Sequence, residues 1–253
     1  MRGTPLPVPR MRALLTDALR ASAHIPAIPL QRTMTLSRLL AARTACPDPP
    51  HWSALFVKGF ALVAREMDEL RRAYVRFPRP RLYQYPSSTA SIAVERRHAG
   101  EDVLFNLIID EAADAPLSFM AALIRWAQTH EIEDIPGFRR ALSVAAMPAP
   151  IRRLLLWIAM NFGRFRGRFF GTFTLSAVGS EGAELLTVIA PTTTVLTYGP
   201  IAPDGTVNVR IVFDHRVTDA APVARALARL EATLNGAVAD ELFALAPPPT
   251  API

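Results

Sequence analysis

Apolar residues recur at helical spacing in several separate stretches of the chain. Residues three or four apart share one face of a helix, so this spacing predicts amphipathic helices. The strongest stretch, WSALFVKGFALVAREMDELRRA, has a broad apolar face and collects its charged residues towards its end. The predicted helices are 11–23, 36–44, 52–73, 117–129 and 221–234.

Between these helices the pattern changes to short alternating or apolar runs bounded by turn residues, which is typical of strands. A Pro-Asp-Gly turn at 203–205 joins the last two runs, and Pro136 and Gly137 are expected to break the chain. Helices on both sides of a mixed set of strands predict one α/β sandwich whose sheet is not purely parallel. The predicted strands are 28–35, 81–85, 90–95, 103–109, 171–176, 193–199 and 206–214.

The composition is that of a globular protein rather than a disordered chain, because 51% of the 253 residues are hydrophobic and 20% are charged. A chain of this length can bury a sizeable core, in one large domain or two small ones. We predict a single domain over residues 1–245. The remaining segment, 246–253, reads APPPTAPI and is expected to be a disordered Pro-rich tail.

The formal net charge is +6, carried almost entirely by arginine, and such a surface attracts phosphate groups. The arginines are spread along the chain without a nucleic-acid motif, which argues against nucleic acid as the partner. The one cysteine, Cys46, excludes an internal disulfide and a multi-cysteine metal site, and the histidines lack metal-ligand spacing. No signal peptide is recognisable and no apolar run approaches ~20 residues, so a cytoplasmic protein is expected.

The segment 213–219, Phe-Asp-His-Arg-Val-Thr-Asp, contains the strongest candidate chemistry. It places His215 just beyond a predicted strand and shortly before a helix, where a side chain is held rigidly and can still face a cleft. Imidazole is suited to take a proton near neutral pH, and Asp219 could orient a neighbour. On spacing alone, the preferred explanation is a satisfied histidine at a strand end beside an aspartate that caps the helix.

Four segments of the chain resemble, in sequence and in order, the catalytic domain of the 2-oxo acid dehydrogenase acyltransferases. These are the E2 components, which are related to chloramphenicol acetyltransferase. FDHRVTDAAPVARALARLEATLNG is similar to their Asp-His-Arg-x-x-Asp-Gly motif and the helix after it. The other segments are GTFTLSAVGSEGAELLTVIAPTTTVLTYGPI, PRMRALLTDALRASAHIPAIPLQRTMTLSRLLAAR and HWSALFVKGFALVAREMDELRRAY. The resemblance covers most of the chain and is weakest over 110–170.

This resemblance implies a two-layer chloramphenicol acetyltransferase-like sandwich with a mixed sheet and flanking helices. It also implies that 1–245 is an acyltransferase domain, with His215 as general base, Ser176 as hydrogen-bond donor to the tetrahedral oxyanion, and Asp219 as organiser of the loop through an arginine. Arg10, Arg12 and Arg20 on the first predicted helix could include that arginine, or could equally form a solvated basic face. Family active sites lie between subunits of a trimer, so a homotrimer is expected. The donor would be a coenzyme A thioester or an acyl carrier protein, with no permanently bound cofactor.

Three features depart from the family. Ala220 stands where the family has glycine, and alanine would be strained if that position required a positive φ. The sequence contains no lipoyl domain before the catalytic segments, which favours a free acyl-CoA or a carrier protein as donor over a tethered lipoyl arm. Residues 147–170, MPAPIRRLLLWIAMNFGRFRGRFF, are unlike the family's corresponding region.

Several alternatives remain open at this point. The segment 147–170 could pack inside the fold, contact a membrane or lipid at the periphery of the protein, or line the site of a long acyl chain. The whole chain could also be a non-catalytic trimeric scaffold of the same fold. A third alternative is the acyltransferase core of a 2-oxo acid dehydrogenase complex whose lipoyl domain lies on another chain.

Overall fold

A computed structural model describes residues 3–178 and 181–245 and contains a six-stranded mixed sheet with a separate two-stranded ribbon. The order in the large sheet is β1-β8-β7-β6-β4-β5, and the ribbon pairs β2 with β3. β6 runs parallel to both of its neighbours, whereas the other pairs are antiparallel. The strands are β1 (Ala27–Thr35), β2 (Arg72–Val75), β3 (Arg81–Gln84), β4 (Ala90–His98), β5 (Glu101–Ile109), β6 (Phe173–Leu175), β7 (Thr194–Tyr198) and β8 (Thr206–Asp214).

Helices flank this sheet, so the predicted α/β class and mixed sheet are confirmed. The predicted tail, 246–253, lies outside the described residues. The helices are α1 (Arg10–Ser22), α2 (Ser37–Thr44), α3 (Trp52–Glu66), α4 (Leu117–Thr129), α5 (Pro136–Ala145), α6 (Ala149–Asn161), α7 (Gly163–Phe170), α8 (Ala220–Thr233) and α9 (Ala239–Leu245).

Strand β8 shows how the core sits between helices and sheet. Successive side chains of a strand point to opposite faces; on β8, Val209, Ile211 and Phe213 belong to the hydrophobic core that includes α3 and α8. On the opposite face Arg210 pairs with Glu184, with Nη2 and Oε2 2.5 Å apart, so the segment after β6 covers that side.

The turn that precedes β8 forms as predicted. Gly205 has a φ of +84°, a conformation that glycine adopts without steric cost. The Asp204 carboxylate accepts a hydrogen bond of 2.8 Å from the backbone N–H of Thr206. This turn fixes the start of the strand that ends just before His215.

The predicted helix 52–73 is too long, because α3 ends at Glu66. Met67 is extended, Asp68–Arg71 forms one 3-10 turn, and the chain then enters β2. Arg71 donates to the carbonyl oxygens of Ala64 at 2.8 Å and Tyr85 at 3.0 Å, which ties the end of α3 to the end of β3. Pairing with β3, a contact distant in sequence, therefore overrides the helical spacing.

Two other boundaries also differ from the prediction. Pro136 does not break a helix but occupies the first turn of α5, where its missing N–H costs nothing. The last predicted helix, 221–234, is not the end of the helical chain: a π-type turn, Leu234–Val238, follows α8 with Gly236 kinked at φ −98° and ψ −107°, and leads into α9. None of the helices formed by the described residues is long and apolar enough to cross a membrane.

Candidate functional site

The turn after β8 is locked by an ion pair between the residues on either side of His215. The Asp214 side chain is buried, and the Arg216 guanidinium grips it with Nε–Oδ1 at 2.9 Å and Nη2–Oδ2 at 2.6 Å. The backbone N–H of Arg216 donates to the same carboxylate at 3.0 Å. The Arg216 guanidinium also lies 4.5 Å from the centre of the Tyr74 ring. A bidentate pair of this kind fixes orientation as well as charge.

His215 extends the pairing of β8 by one residue, since its backbone N–H donates to the Pro26 carbonyl at 3.1 Å. Its ring follows Phe213 on the same face of the strand, with the ring centres 5.9 Å apart. The side chain is 44% exposed. The sequence therefore does place this imidazole at a rigid strand end that is open to its surroundings.

The tautomer of the His215 ring follows from its partner. Nδ1 lies 3.1 Å from the carbonyl oxygen of Thr218, and a carbonyl oxygen can only accept, so Nδ1 carries the proton. In the neutral ring the lone pair is then on Nε2. This is the arrangement required of a histidine that removes a proton from another molecule.

Asp219 lies beside His215, with Oδ1 3.4 Å from Nδ1, but it is 82% exposed. Its side chain makes no capping hydrogen bond to α8, which argues against a simple helix cap. Among the described residues its ion-pair partner is His215, and Arg20 instead approaches Asp17 at 3.9 Å. The expected arginine clamp on Asp219 is therefore absent from the described part of a single chain.

Ala220 is not strained. It is the first residue of α8, and the described non-glycine residues with positive φ are Ala99 and Glu111. The family's glycine at this position is thus not required for the turn that this chain adopts.

Ser176 follows β6 and keeps the sheet pairing for one more residue, because its backbone N–H donates to the Leu196 carbonyl at 3.0 Å. The side chain is half-buried. Its predecessor Leu175 is part of the core between helices and sheet, so by alternation Ser176 points to the opposite face.

Ser176 and His215 do not meet within one chain. Leu175 is level with Leu196, which is level with Ile211, so Ser176 is level with Arg210 and His215 lies five residues further on. At ~3.4 Å per residue this separates them by about 17 Å along the strands. Alternation also places them on opposite faces of the sheet, because His215 follows Phe213 on the core side. The structure therefore brings together His215 and Asp219 but not Ser176.

Two features near the turn, an ion pair and a cavity, were not predicted from the sequence. The Asp214–Arg216 pair could have been found, because an acidic and a basic residue flank the candidate histidine at the end of a strand. A cavity of about 270 Å³ adjoins Arg216 and is also lined by Arg76 and Arg166. These residues are far apart in sequence, and no local pattern marked them.

Comparison with known proteins gives matches at the level of structure. No protein-family model and no curated protein matches the sequence. A probable dihydrolipoamide acetyltransferase from Listeria monocytogenes is similar at a TM-score of 0.69 and 18% identity, over 98% of both chains. The dihydrolipoamide acetyltransferase of Azotobacter vinelandii gives the same score and identity over 94% of both chains. A chloramphenicol acetyltransferase matches at a TM-score of 0.53 and 13% identity, over 89% of this chain and 94% of that one.

These likenesses extend over nearly the whole chain and agree with the strand order and the flanking helices described above. At such low identity they establish the fold. The chain has the chloramphenicol acetyltransferase-like fold found in the catalytic domains of E2 acyltransferases.

Proposed function

We propose that this protein is an acyltransferase that moves an acyl group from a thioester to a hydroxyl, amine or thiol, with His215 as general base. The observation that carries the proposal is the orientation of His215. Its Nδ1–H is held by the Thr218 carbonyl, which leaves the Nε2 lone pair on an exposed, rigid turn. The likeness in fold to acetyltransferases supports the same conclusion.

In the proposed reaction, Nε2 of His215 removes the proton of the acceptor while the acceptor attacks the thioester carbonyl carbon. The carbonyl oxygen becomes an oxyanion, to which the Ser176 hydroxyl donates a hydrogen bond. The C–S bond then breaks, and the departing thiolate takes the proton from Nε2. The acyl product and a free thiol are released, and the imidazole is neutral again.

The oxyanion donor must come from a second copy of the chain, because Ser176 and His215 of one copy are about 17 Å apart along the strands. We propose a homotrimer in which each site combines His215 of one protomer with Ser176 of its neighbour. A cyclic trimer satisfies this pairing, since each head-to-tail interface then holds one complete site. Asp219, exposed in the single chain, would lie at the same interface.

We propose coenzyme A or an acyl carrier protein as the thioester donor. Both carry phosphate on a pantetheine arm, and a protein with net charge +6 attracts phosphate. No metal or redox group takes part in the steps above.

Co-expression of two inactive variants tests both the chemistry and the shared site. We expect Ser176→Ala to lower kcat about 10²- to 10³-fold through loss of one oxyanion donor, and His215→Ala to lower it about 10³-fold through loss of the base. In mixed trimers, sites that pair an intact His215 with an intact Ser176 reappear. Random assembly at equal amounts restores about a quarter of the sites. The measurement is thiol release from a panel of short to long acyl-CoAs.

The control is to mix the two variants after separate purification, when no subunits exchange and activity stays low. If the co-expressed mixture is as inactive as either variant while wild type turns over, the shared site is wrong. If wild type releases no thiol from acyl-CoAs or from acyl carrier proteins, the scaffold alternative replaces the acyltransferase.

A second candidate is the acyltransferase core of a 2-oxo acid dehydrogenase complex. The Azotobacter enzyme was studied for the role of a serine, a histidine and an asparagine in its mechanism, with the asparagine four residues after the histidine. Asp219 stands at the same spacing from His215. Transfer of the acyl group to dihydrolipoamide in preference to other thiols, hydroxyls and amines would favour this candidate.

We also propose that residues 147–170 contact lipid. The exposed apolar side chains of α6 and α7 include Leu154 at 57% and Trp157 at 47% exposure, among arginines. Such a surface favours binding to anionic bilayers. We expect sedimentation with phosphatidylglycerol vesicles, weakened by Leu154→Glu and unchanged by Leu186→Glu, an exposed leucine outside the segment. If the protein binds neither these vesicles nor long-chain acyl-CoA, the proposal is wrong.

A further inference from the structure

The cavity beside Arg216 has an unusual charge for its size. It lies between α1, β2, α6, α7 and the turn after β8, and has a volume of about 270 Å³. Its lining contains five arginines and a single carboxylate, that of Asp17. Asp17 is bound by Arg152 and Arg153, and Arg216 is paired with the buried Asp214, which leaves Arg76 and Arg166 without an ion-pair partner among the described residues. The cavity therefore has a positive excess.

Arg166 is the most buried of the arginines that line this cavity. The residue is 2% exposed, and its Nε and Nη1 donate to the backbone carbonyls of Pro191 at 2.7 Å and Tyr74 at 2.8 Å. Its Nη2 has no hydrogen-bond partner among the described residues. The negative charge of Asp214 also acts on Arg166, but that carboxylate is already paired with Arg216, so this buried cation lacks a carboxylate of its own.

The surroundings respond to this charge. Burial, together with the positive charges of Arg76 and Arg216, lowers the pKa of His24 on the cavity wall. Burial also lowers the pKa of Arg166 itself. The arginine charges thus act on His24 as an excess of positive charge would, and the negative charge of Asp214 opposes them.

The rest of the wall is apolar and aromatic. Tyr74 lies against Arg216, and Leu156, Trp157 and Met160 of α6 complete the surface. A volume of about 270 Å³ is far more than one water molecule needs and leaves room for a small organic ligand. Binding sites for small molecules combine such walls with a few placed polar groups.

We propose that this cavity binds a small organic anion, a carboxylate or phosphate monoester on an apolar body, with its charged group between Arg166 and Arg76. Arg166 supplies a buried guanidinium in the wall of the cavity, and Arg76, an exposed residue, supplies a second positive charge. The apolar body contacts Trp157 and Tyr74. This inference does not depend on acyl transfer, because it rests on the lining alone.

Calorimetric titration at low salt tests it with four probes: hexyl phosphate, hexanoate, 1-hexanol and inorganic phosphate. We expect hexyl phosphate or hexanoate to bind at one site per chain, and the tighter of the two identifies the anion. Hexanol lacks the charge and inorganic phosphate lacks the apolar body, so both should bind at least tenfold more weakly. If hexanol or inorganic phosphate binds the protein as tightly as the better anion does, the proposal is wrong.

Substitution of the arginines assigns the binding to this cavity. Arg76→Gln should weaken the better probe about tenfold, whereas Arg79→Gln, an exposed arginine three residues away that does not line the cavity, should leave it unchanged. Equal weakening by both variants indicates general charge attraction and refutes the site. Arg166→Gln should abolish binding, with circular dichroism and urea unfolding to show that the variant is folded.

Discussion

Replacing His215 with alanine is expected to lower kcat for acyl transfer about 10³-fold, within the range for loss of a general base. The reason is that the acceptor keeps its proton as it attacks, which makes it a far weaker nucleophile towards the thioester. The substitution should leave KM for the donor nearly unchanged, because the imidazole acts on the acceptor's proton. Steady-state thiol release over a range of acyl-CoA concentrations separates the two constants.

His130→Ala provides the matched control, since His130 is an exposed histidine on the helix side of the sheet, at the end of α4. Its kcat should equal that of wild type. Retention of most activity in His215→Ala, in protein with an unchanged unfolding midpoint, would assign the base to another group.

Replacing Asp17 with asparagine is expected to lower the free energy of unfolding by about 3–5 kcal/mol, as for a buried ion pair that loses one member. Asp17 is 4% exposed on α1 and accepts 2.7 Å and 2.9 Å hydrogen bonds from Nε of Arg152 and Arg153 on α6. Arg152 is itself buried, at 7% exposure, so the substitution leaves a buried cation without its counter-charge. Urea unfolding followed by circular dichroism measures the loss.

Asp114→Asn is the control for that measurement. Asp114 pairs with Arg65 at 3.2 Å, with both side chains more than half exposed, and such surface pairs contribute about 0–1 kcal/mol. A loss of less than about 1 kcal/mol for Asp17→Asn would show that α1 and α6 are held together by other contacts.

The contribution of Asp17 should also depend on pH. Burial alone would raise its pKa, but hydrogen bonds and charges from Arg153 and Arg152 outweigh burial and hold the pKa below the ordinary value. A carboxyl group with a lowered pKa in the folded state stabilises the protein above its unfolded pKa of about 3.9 and loses that effect as pH falls through the folded value. The difference between wild type and Asp17→Asn should therefore shrink below about pH 4.

Helices and strands with a long hydrophobic pattern and turn residues at both ends were predicted closely from the sequence. The helix 117–129 and the strand 206–214 have the same limits as α4 and β8. The predicted helix 52–73 failed at its end, because Leu70 and Ala73 continue the apolar spacing although their burial comes from a 3-10 turn and a strand. Helical spacing cannot reveal that β3 will pair there.

The candidate site was predicted where its residues are neighbours in sequence. His215 and Asp219 were predicted to lie on one turn, with Asp219 able to orient a neighbour, and the structure shows His215 as that neighbour in place of the expected arginine. The arginine cavity was not predicted, because Arg76, Arg166 and Arg216 meet only after folding. Arg166 stood among the arginines that made 147–170 look like an amphipathic surface, and nothing in that pattern distinguishes a 2% exposed guanidinium from its exposed neighbours.

The hydrogen bond from His215 to the Thr218 carbonyl affects which substitutions the protein can tolerate. The group that orients the ring is a main-chain atom, and every amino acid at position 218 supplies one. Genetic change at 218 or 219 therefore cannot delete the acceptor, whereas a carboxylate in that role would be lost in one step. Substitutions of Asp214 or Arg216 are the ones expected to disturb the ring, because these two side chains shape the backbone that presents the Thr218 carbonyl.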